Sequence, residues 1–377
     1  MLNAIKEHLA RYPKMQIQDA AKLLYQSEFG GGHMIVNPEM SLKRIQNEYD
    51  SLQPEIQSQS MAIEPIGNNM YRIYLSALSR GLSAEVLNEM FVQSANHKKG
   101  NILEFEKKLN LLLTACEDNI LPFSKTEVYD FLADWKSNGY PAISHSSIYR
   151  DTYQPAYRVV EAHYAPTCNL ILKISQLQQT ADFQFAYINA ADTLSNTASF
   201  TDEPSCQNIP YIIAIDGMSS SGKTTLGNLL HKNFPNSNLF HMDDYFLQPH
   251  QRTKERLAEI GGNVDYERFK TEILDSLADR NGLTYQKYNC RTQNLEPEMT
   301  VPWEPLVIIE GAYSQHPYFQ NPYSLRVFCE ITAEQQKERI LKRNGEAMLK
   351  RFLNEWIPKE NQYFEMFRIK EKVDALL

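Results

Sequence analysis

The sequence predicts a mainly α-helical domain over residues 1–200, followed over 201–377 by an α/β domain with a parallel sheet covered by helices. Three observations lead there. Before residue 190, many stretches place apolar residues three and four apart, the period of a helix with one buried face. After residue 210, short β-branched runs alternate with helical stretches. Between them, residues 190–210 read AADTLSNTASFTDEPSCQNIP, which is rich in Ser, Thr, Asn, Asp and Pro, lacks an apolar period, and reads as a linker.

A length of 377 residues suits two domains, and 42% hydrophobic with 22% charged residues is ordinary globular composition. No run is long and apolar enough to span a membrane, and the first residues, MLNAIKEHLARYPKM, carry charges where a signal peptide needs an apolar stretch. The five cysteines are scattered without a CxxC pair, which points to reduced thiols and a cytoplasmic protein. Residues 201–377 hold 21 Lys+Arg against 25 Asp+Glu, half of the total net charge of −8. Neither half has the basic excess of a nucleic-acid binder, so the expected partner is a small molecule. Oligomeric state is not legible.

Helices are expected at 15–29, 83–95, 102–118 and 125–137 in the first domain and at 223–234 and 333–344 in the second. Strands are expected at 211–215, 306–309 and 325–331, and a further one running into residue 243.

Directly after the first of these strands stands Gly217-Met-Ser219-Ser220-Ser221-Gly222-Lys223-Thr224, a full GxxxxGK[ST] match. Its glycines let backbone N–H groups converge on phosphate oxygens, and the next helix turns its positive end toward them, with Thr225 in its first turn a further ATP-binding candidate. Lys223 is placed to reach the β- and γ-phosphates of ATP, and the Thr224 hydroxyl to bind Mg²⁺. The chain has no NKxD guanine-reading motif. The strand ending at Glu310-Gly311 carries a single acid, not the Asp-Glu pair of a hydrolytic ATPase.

About twenty residues past Lys223, the run HMDDYF offers Asp243 and Asp244 beside the expected γ-phosphate position, where a carboxylate can take a proton from an acceptor hydroxyl. A helix cap or turn pair is the competing use of these two acids. The order of phosphate loop, DDYF, the run 285–291, EGAY and an Arg-rich helix resembles the uridine kinase / phosphoribulokinase family, which also includes nicotinamide riboside kinases and one class of pantothenate kinase. The resemblance covers about residues 205–377.

That resemblance implies the fold of a P-loop kinase domain, with Asp243 as the base and Glu310 near Mg²⁺ or the acceptor. It implies an acceptor pocket formed by Asp244, Tyr245, Asp265, Tyr288 and Arg291. It also implies a lid whose Arg339 and Arg343 close over ATP, with Arg351 a further candidate. N-cap duty for Asp265, a surface ion pair for Arg291 and a solvated face for the lid arginines are the structural alternatives. The expected activity is ATP-dependent phosphorylation of a hydroxyl on a nucleoside-like molecule. A bifunctional enzyme and an ATP-sensing regulator are the competing classes; Lys223, Asp243 and Glu310 together favour catalysis, because a sensor needs no base.

The resemblance does not extend to the first 200 residues. Two stretches there carry chemistry: Glu28 and His33 around the Gly30–Gly32 turn, and His145, Arg150 and Arg158 beside Tyr149, Tyr153 and Tyr157. They read either as one anion site, in which case the stretches must meet in space, or as a helix cap plus aromatic packing.

Overall fold

The structure is a computed structural model and describes residues 1–31, 34–179, 210–279 and 281–377. Residues 190–209 of the expected linker, and His33, lie outside the described residues. The chain divides into two compact units, Met1–Gln176 and Leu177–Leu377.

The first unit runs α1 (Leu2–Arg11), α2 (Ile17–Phe29), α3 (Pro38–Asp50), β1 (Ile63–Gly67), β2 (Met70–Tyr74), α4 (Ala84–His97), α5 (Ile102–Glu117), α6 (Lys125–Ser137), α7 (Ser147–Tyr153), β3 (Tyr157–Glu161) and α8 (Tyr164–Gln178). Helix starts follow local chemistry. Asn37, Ser83 and Asn101 each accept a hydrogen bond from a first-turn N–H, and α2 ends at Gly30, whose φ of 61° suits glycine. The apolar faces of α2, α5 and α6 meet around Phe105, which packs edge-on against Trp135 at 5.5 Å between ring centres.

The antiparallel sheet β1-β2-β3 was not expected from the sequence. Its strands are five residues long, and two of its buried positions are charged. Glu64 and Arg72 face each other in register and both are wholly buried. Arg72 donates to Gln26 Oε1 through Nε (3.1 Å) and Nη2 (2.8 Å), and its guanidinium lies 4.4 Å from the centre of the Tyr157 ring. Its Nη1 lies 3.4 Å from Glu64 and 2.8 Å from His8 Nε2. Glu64 also accepts from Arg11 at 2.5 Å and from the Tyr74 hydroxyl at 2.7 Å. Burial alone would push the Glu64 carboxyl up, but its His8, Arg72 and Tyr74 partners outweigh this and hold it at about 2.

The second unit is a layered α/β fold. Strands β4 (Tyr211–Gly217), β5 (Ser237–His241), β10 (Leu306–Glu310), β11 (Leu325–Cys329) and β12 (Ala375–Leu376) form a parallel sheet in the order β12-β11-β4-β10-β5. Two small antiparallel pairs, β6 (Leu283–Tyr285) with β9 (Met299–Val301) and β7 (Tyr288–Asn289) with β8 (Asn294–Leu295), stand apart from it. Helix α9 (Lys223–Asn233) follows β4, and α10 (Ala333–Arg351) and α11 (Ile357–Met366) come late in the chain. The expected end of the lid helix at Gly345 is corrected. Gly345 breaks the helix with φ 78°, ψ 174°, but the chain resumes helical geometry through Arg351. No described helix is long and apolar enough to cross a membrane.

At the end of β4, Asp216 is wholly buried and accepts three hydrogen bonds, from Gly217 N (2.7 Å), Gln315 N (3.1 Å) and the Tyr363 hydroxyl of α11 (2.7 Å). Burial outweighs these bonds and raises its pKa to about 6.

Three stability predictions follow from these buried groups. Removing the guanidinium in Arg72→Met strands the Glu64 charge and should cost about 3–5 kcal/mol in urea unfolding at pH 7; a loss below about 1 kcal/mol would sink the reading. The depressed Glu64 pKa contributes about 3 kcal/mol that is present above about pH 4.5 and lost as pH falls toward 2, so Glu64→Gln should flatten stability in that window. Asp216 behaves oppositely. Its raised pKa means the charged form carries a cost, complete above about pH 6 and relieved as pH falls toward 4. Tyr363→Phe removes a bond to the charged form and should destabilise by about 1–3 kcal/mol above pH 6, with the difference shrinking at lower pH. A pH-independent difference would argue against an ionised Asp216.

Candidate active site

The phosphate loop follows from what each backbone position must do. Gly217 has φ 140°, and a Cβ there would sit 2.1 Å from the Cys329 carbonyl oxygen of the neighbouring strand, so only glycine fits. Gly222 stands at the start of α9 with φ 107° and open space where a side chain would be. Ser220 also has a positive φ, of 61°. The hydroxyls of Ser220 and Ser221 are buried without a partner. Buried orphan donors beside a helix N-terminus suit phosphate oxygens, and Thr224 and Thr225 lie exposed in the first turn of that helix. Lys223 Nζ folds back on the loop, donating to the carbonyls of Gly217 (2.7 Å) and Met218 (2.9 Å).

Register then brings the acids to the loop. Glu310 ends β10 opposite Ile215 of β4 and His241 of β5. Its Oε2 accepts from the Thr224 hydroxyl at 3.2 Å, and its Oε1 lies 2.5 Å from His241 Nδ1. Gly227 leaves room for this side chain: a Cβ there would press on Glu310 Cγ at 3.2 Å. The Glu310 hydrogen bond raises the His241 pKa. A hydroxyl and a carboxylate oxygen in contact are the hard donors Mg²⁺ takes.

Asp243 and Asp244 lie in the short 3-10 turn Met242–Tyr245 after β5, not on the strand itself. Asp243 is open to solvent yet crowded by protein. Desolvation first, then the neighbouring Glu310 carboxylate, pushes its pKa up, and Lys223 counters this in part. Asp244 pairs with Lys287 at 3.0 Å.

The outer side of the loop is held by residues that sequence reasoning missed. Glu360 of α11 accepts from Ser219 N (2.9 Å) and Ser219 Oγ (2.6 Å). Gln336 donates to the Ser219 carbonyl at 3.0 Å. Arg339 of α10 donates to the Ser220 carbonyl at 3.2 Å, whereas Arg343, one turn further on, is exposed and, among the described residues, donates to Asn344 at 2.7 Å. Arg351 pairs with Glu355 at 3.3 Å. His241 was visible in the sequence beside the two acids. Glu360 carried no signal, because nothing local distinguishes it from a surface glutamate.

Several expected acceptor residues need correction. Tyr245 is wholly buried between Phe269 and Arg268, with its hydroxyl donating to Glu272 at 3.2 Å, so it is core. Asp265 takes the structural alternative. It is buried, caps the turn at Arg268 N (3.1 Å) and accepts from Gln251 (2.8 Å). Tyr288 is buried and accepts from Arg252 at 2.6 Å. Arg291 lies exposed in the turn between β7 and β8, not on a strand.

In the first unit, Gly31, His145, Arg150 and Arg158 line one cavity, so the two stretches do meet. Glu28 is corrected: it is buried, pairs with Lys108 at 2.7 Å and accepts from Asn101 N at 2.9 Å.

No protein-family model matches the chain, and no curated protein does. Among solved structures, one similar chain is described as a possible uridine kinase from Bacillus stearothermophilus. It is 19% identical, with 51% of this chain and 96% of that chain covered, at a TM-score of 0.36. Another is D-glycerate 3-kinase from Cryptococcus neoformans, 15% identical, with 49% of this chain and 87% of that chain covered, at a TM-score of 0.29.

Proposed function

We propose that residues 201–377 transfer the γ-phosphoryl group of ATP to a hydroxyl of a small, nucleoside-like molecule. The observation that carries this reading is the phosphate loop with its orphaned Ser220 and Ser221 hydroxyls, set against Thr224 in contact with Glu310. Loop N–H groups and these hydroxyls receive the phosphates. Lys223 exchanges its two carbonyl contacts for phosphate oxygens. Thr224 and Glu310 would hold Mg²⁺, which would neutralise charge on the phosphates.

Asp243 takes the proton of the acceptor hydroxyl as its oxygen bonds to the γ-phosphorus, the bond to the β-phosphate oxygen breaks, and ADP leaves. Asp244, held by Lys287, flanks the acceptor. Arg339, already on the loop, and Arg343 beyond it bring positive charge over the transferring group.

Screening nucleosides, sugars and vitamins for stimulated ADP release, with product masses read out, tests the reading. Lys223→Ala should lower transfer by about three orders of magnitude or more with the fold intact. Asp243→Asn should lower kcat by about 10²–10⁴ with ATP affinity little changed. Because Asp243 must be ionised and its pKa is raised, the acid limb of kcat/KM should lie above that of an ordinary aspartate and vanish in Asp243→Asn. Full turnover in Asp243→Asn with loss in Asp244→Asn would transfer the base to Asp244.

A further inference from the structure

The first unit contains a cavity of about 560 Å³ that the proposed phosphoryl transfer does not use. Four cationic side chains line it, Lys22, Arg44, Arg150 and Arg158, and among the described residues the lining holds no Asp or Glu. In a chain of net charge −8 such a lining is unusual.

The nearby acids are already committed. Glu48 pairs with Arg158 at 2.8 Å. Asp19 is engaged at both oxygens, by His145 Nδ1 (2.8 Å), Ser146 N (2.9 Å) and Ser146 Oγ (2.6 Å). Arg44 and Arg150 are exposed and make no ion pair among the described residues. Among the described residues Lys22 donates to the Ile143 carbonyl, at 2.5 Å; burial, and then the Arg72 charge, hold its pKa down at about 8, with the Asp19 charge countering in part, so it remains largely cationic at neutral pH. Three positive charges therefore face the cavity, none of them in an ion pair among the described residues.

The floor is fixed. His145 is clamped between Asp19 and the Tyr157 hydroxyl, which lies 2.6 Å from its Nε2, and burial lowers its pKa to about 4, so it is a neutral positioning group. Tyr157 leans on Gln26 at 3.3 Å, and Gln26 on the buried Arg72. The rim is apolar. Met34, Val36 and Met40 are 66%, 86% and 52% exposed, large side chains left in water at the mouth of one cavity.

We propose that this cavity is a binding site for a phosphomonoester carrying an apolar or aromatic body. A phosphate dianion has the charge and the oxygens to engage Lys22, Arg44 and Arg150 together, whereas a single carboxylate leaves two of the three uncompensated. The body of the ligand covers Met34, Val36 and Met40. This assignment stands on the first unit alone and does not depend on what the second unit phosphorylates.

Calorimetric titration of the full chain with phenyl phosphate, inorganic phosphate and benzoate tests it, using Lys223→Ala to silence the phosphate loop. In Lys223→Ala, phenyl phosphate should still bind, and tighter than either inorganic phosphate or benzoate. Adding Arg44→Ala and Arg150→Ala, both exposed positions, should weaken that binding about tenfold or more without shifting urea unfolding. Unchanged affinity in the triple variant, or no binding once the loop is silenced, overturns the site. Benzoate binding as tightly as phenyl phosphate overturns the phosphate assignment. A failed kinase assay leaves all of these readouts intact.

Discussion

In-register parallel pairing of β4, β10 and β5 is the constraint on which the candidate site rests. Glu310 sits opposite Ile215 on one side and His241 on the other, so three strand ends form one row. The phosphate loop leaves one end, the Asp243–Asp244 turn leaves another, and Glu310 fills the gap between them. A slip of one residue would turn Glu310 to the other face of the sheet and separate it from Thr224. Parallel strands all open at the same edge, and ligands of such sheets collect in the crevice outside their carboxyl ends. The sheet aligns the strand ends, and the glycine-rich loop after β4 and the turn after β5 place the groups of the candidate site there.

The first unit solves a different problem. Its small sheet places Arg72 and Glu64 where an apolar pair would ordinarily pack. Buried ion pairs seldom add net stability over a hydrophobic pair, so what this one contributes is position. Arg72 fixes Gln26, Gln26 meets Tyr157, and Tyr157 meets His145, which orders the floor of the cationic cavity from behind.

The elements with strong local signals were legible in the sequence. The periodic apolar stretches became α2, α4, α5 and α6 within a few residues of the expected bounds, and GxxxxGKT appears as a loop at a helix N-terminus. The sheet of the first unit was illegible because charge at Glu64 and Arg72 erases the alternation that marks a half-buried strand. Tyr245 and Asp265 were misread for a related reason. Motif position says where the chain runs, but not whether a side chain turns toward the cleft or into the core. Glu360 and Gln336 act through contacts more than a hundred residues away in sequence, which no local pattern records.

That separation has a consequence for how the chain is made. Glu360 and Tyr363 lie 141 and 147 residues beyond the loop and strand end they hold. On the ribosome, the glycine-rich loop and the buried Asp216 carboxylate emerge long before the hydroxyl and carboxylate that satisfy them. The first unit, already released, has its polar partners within its own span and can consolidate while synthesis continues. The nascent second unit cannot complete the Asp216 hydrogen bonds or fasten the loop to Glu360 until α11 has been translated, and its β11 edge stays open until β12 follows. Ribosome stalling between residues 220 and 350 would therefore leave a folded first unit tethered to an incomplete, aggregation-prone sheet.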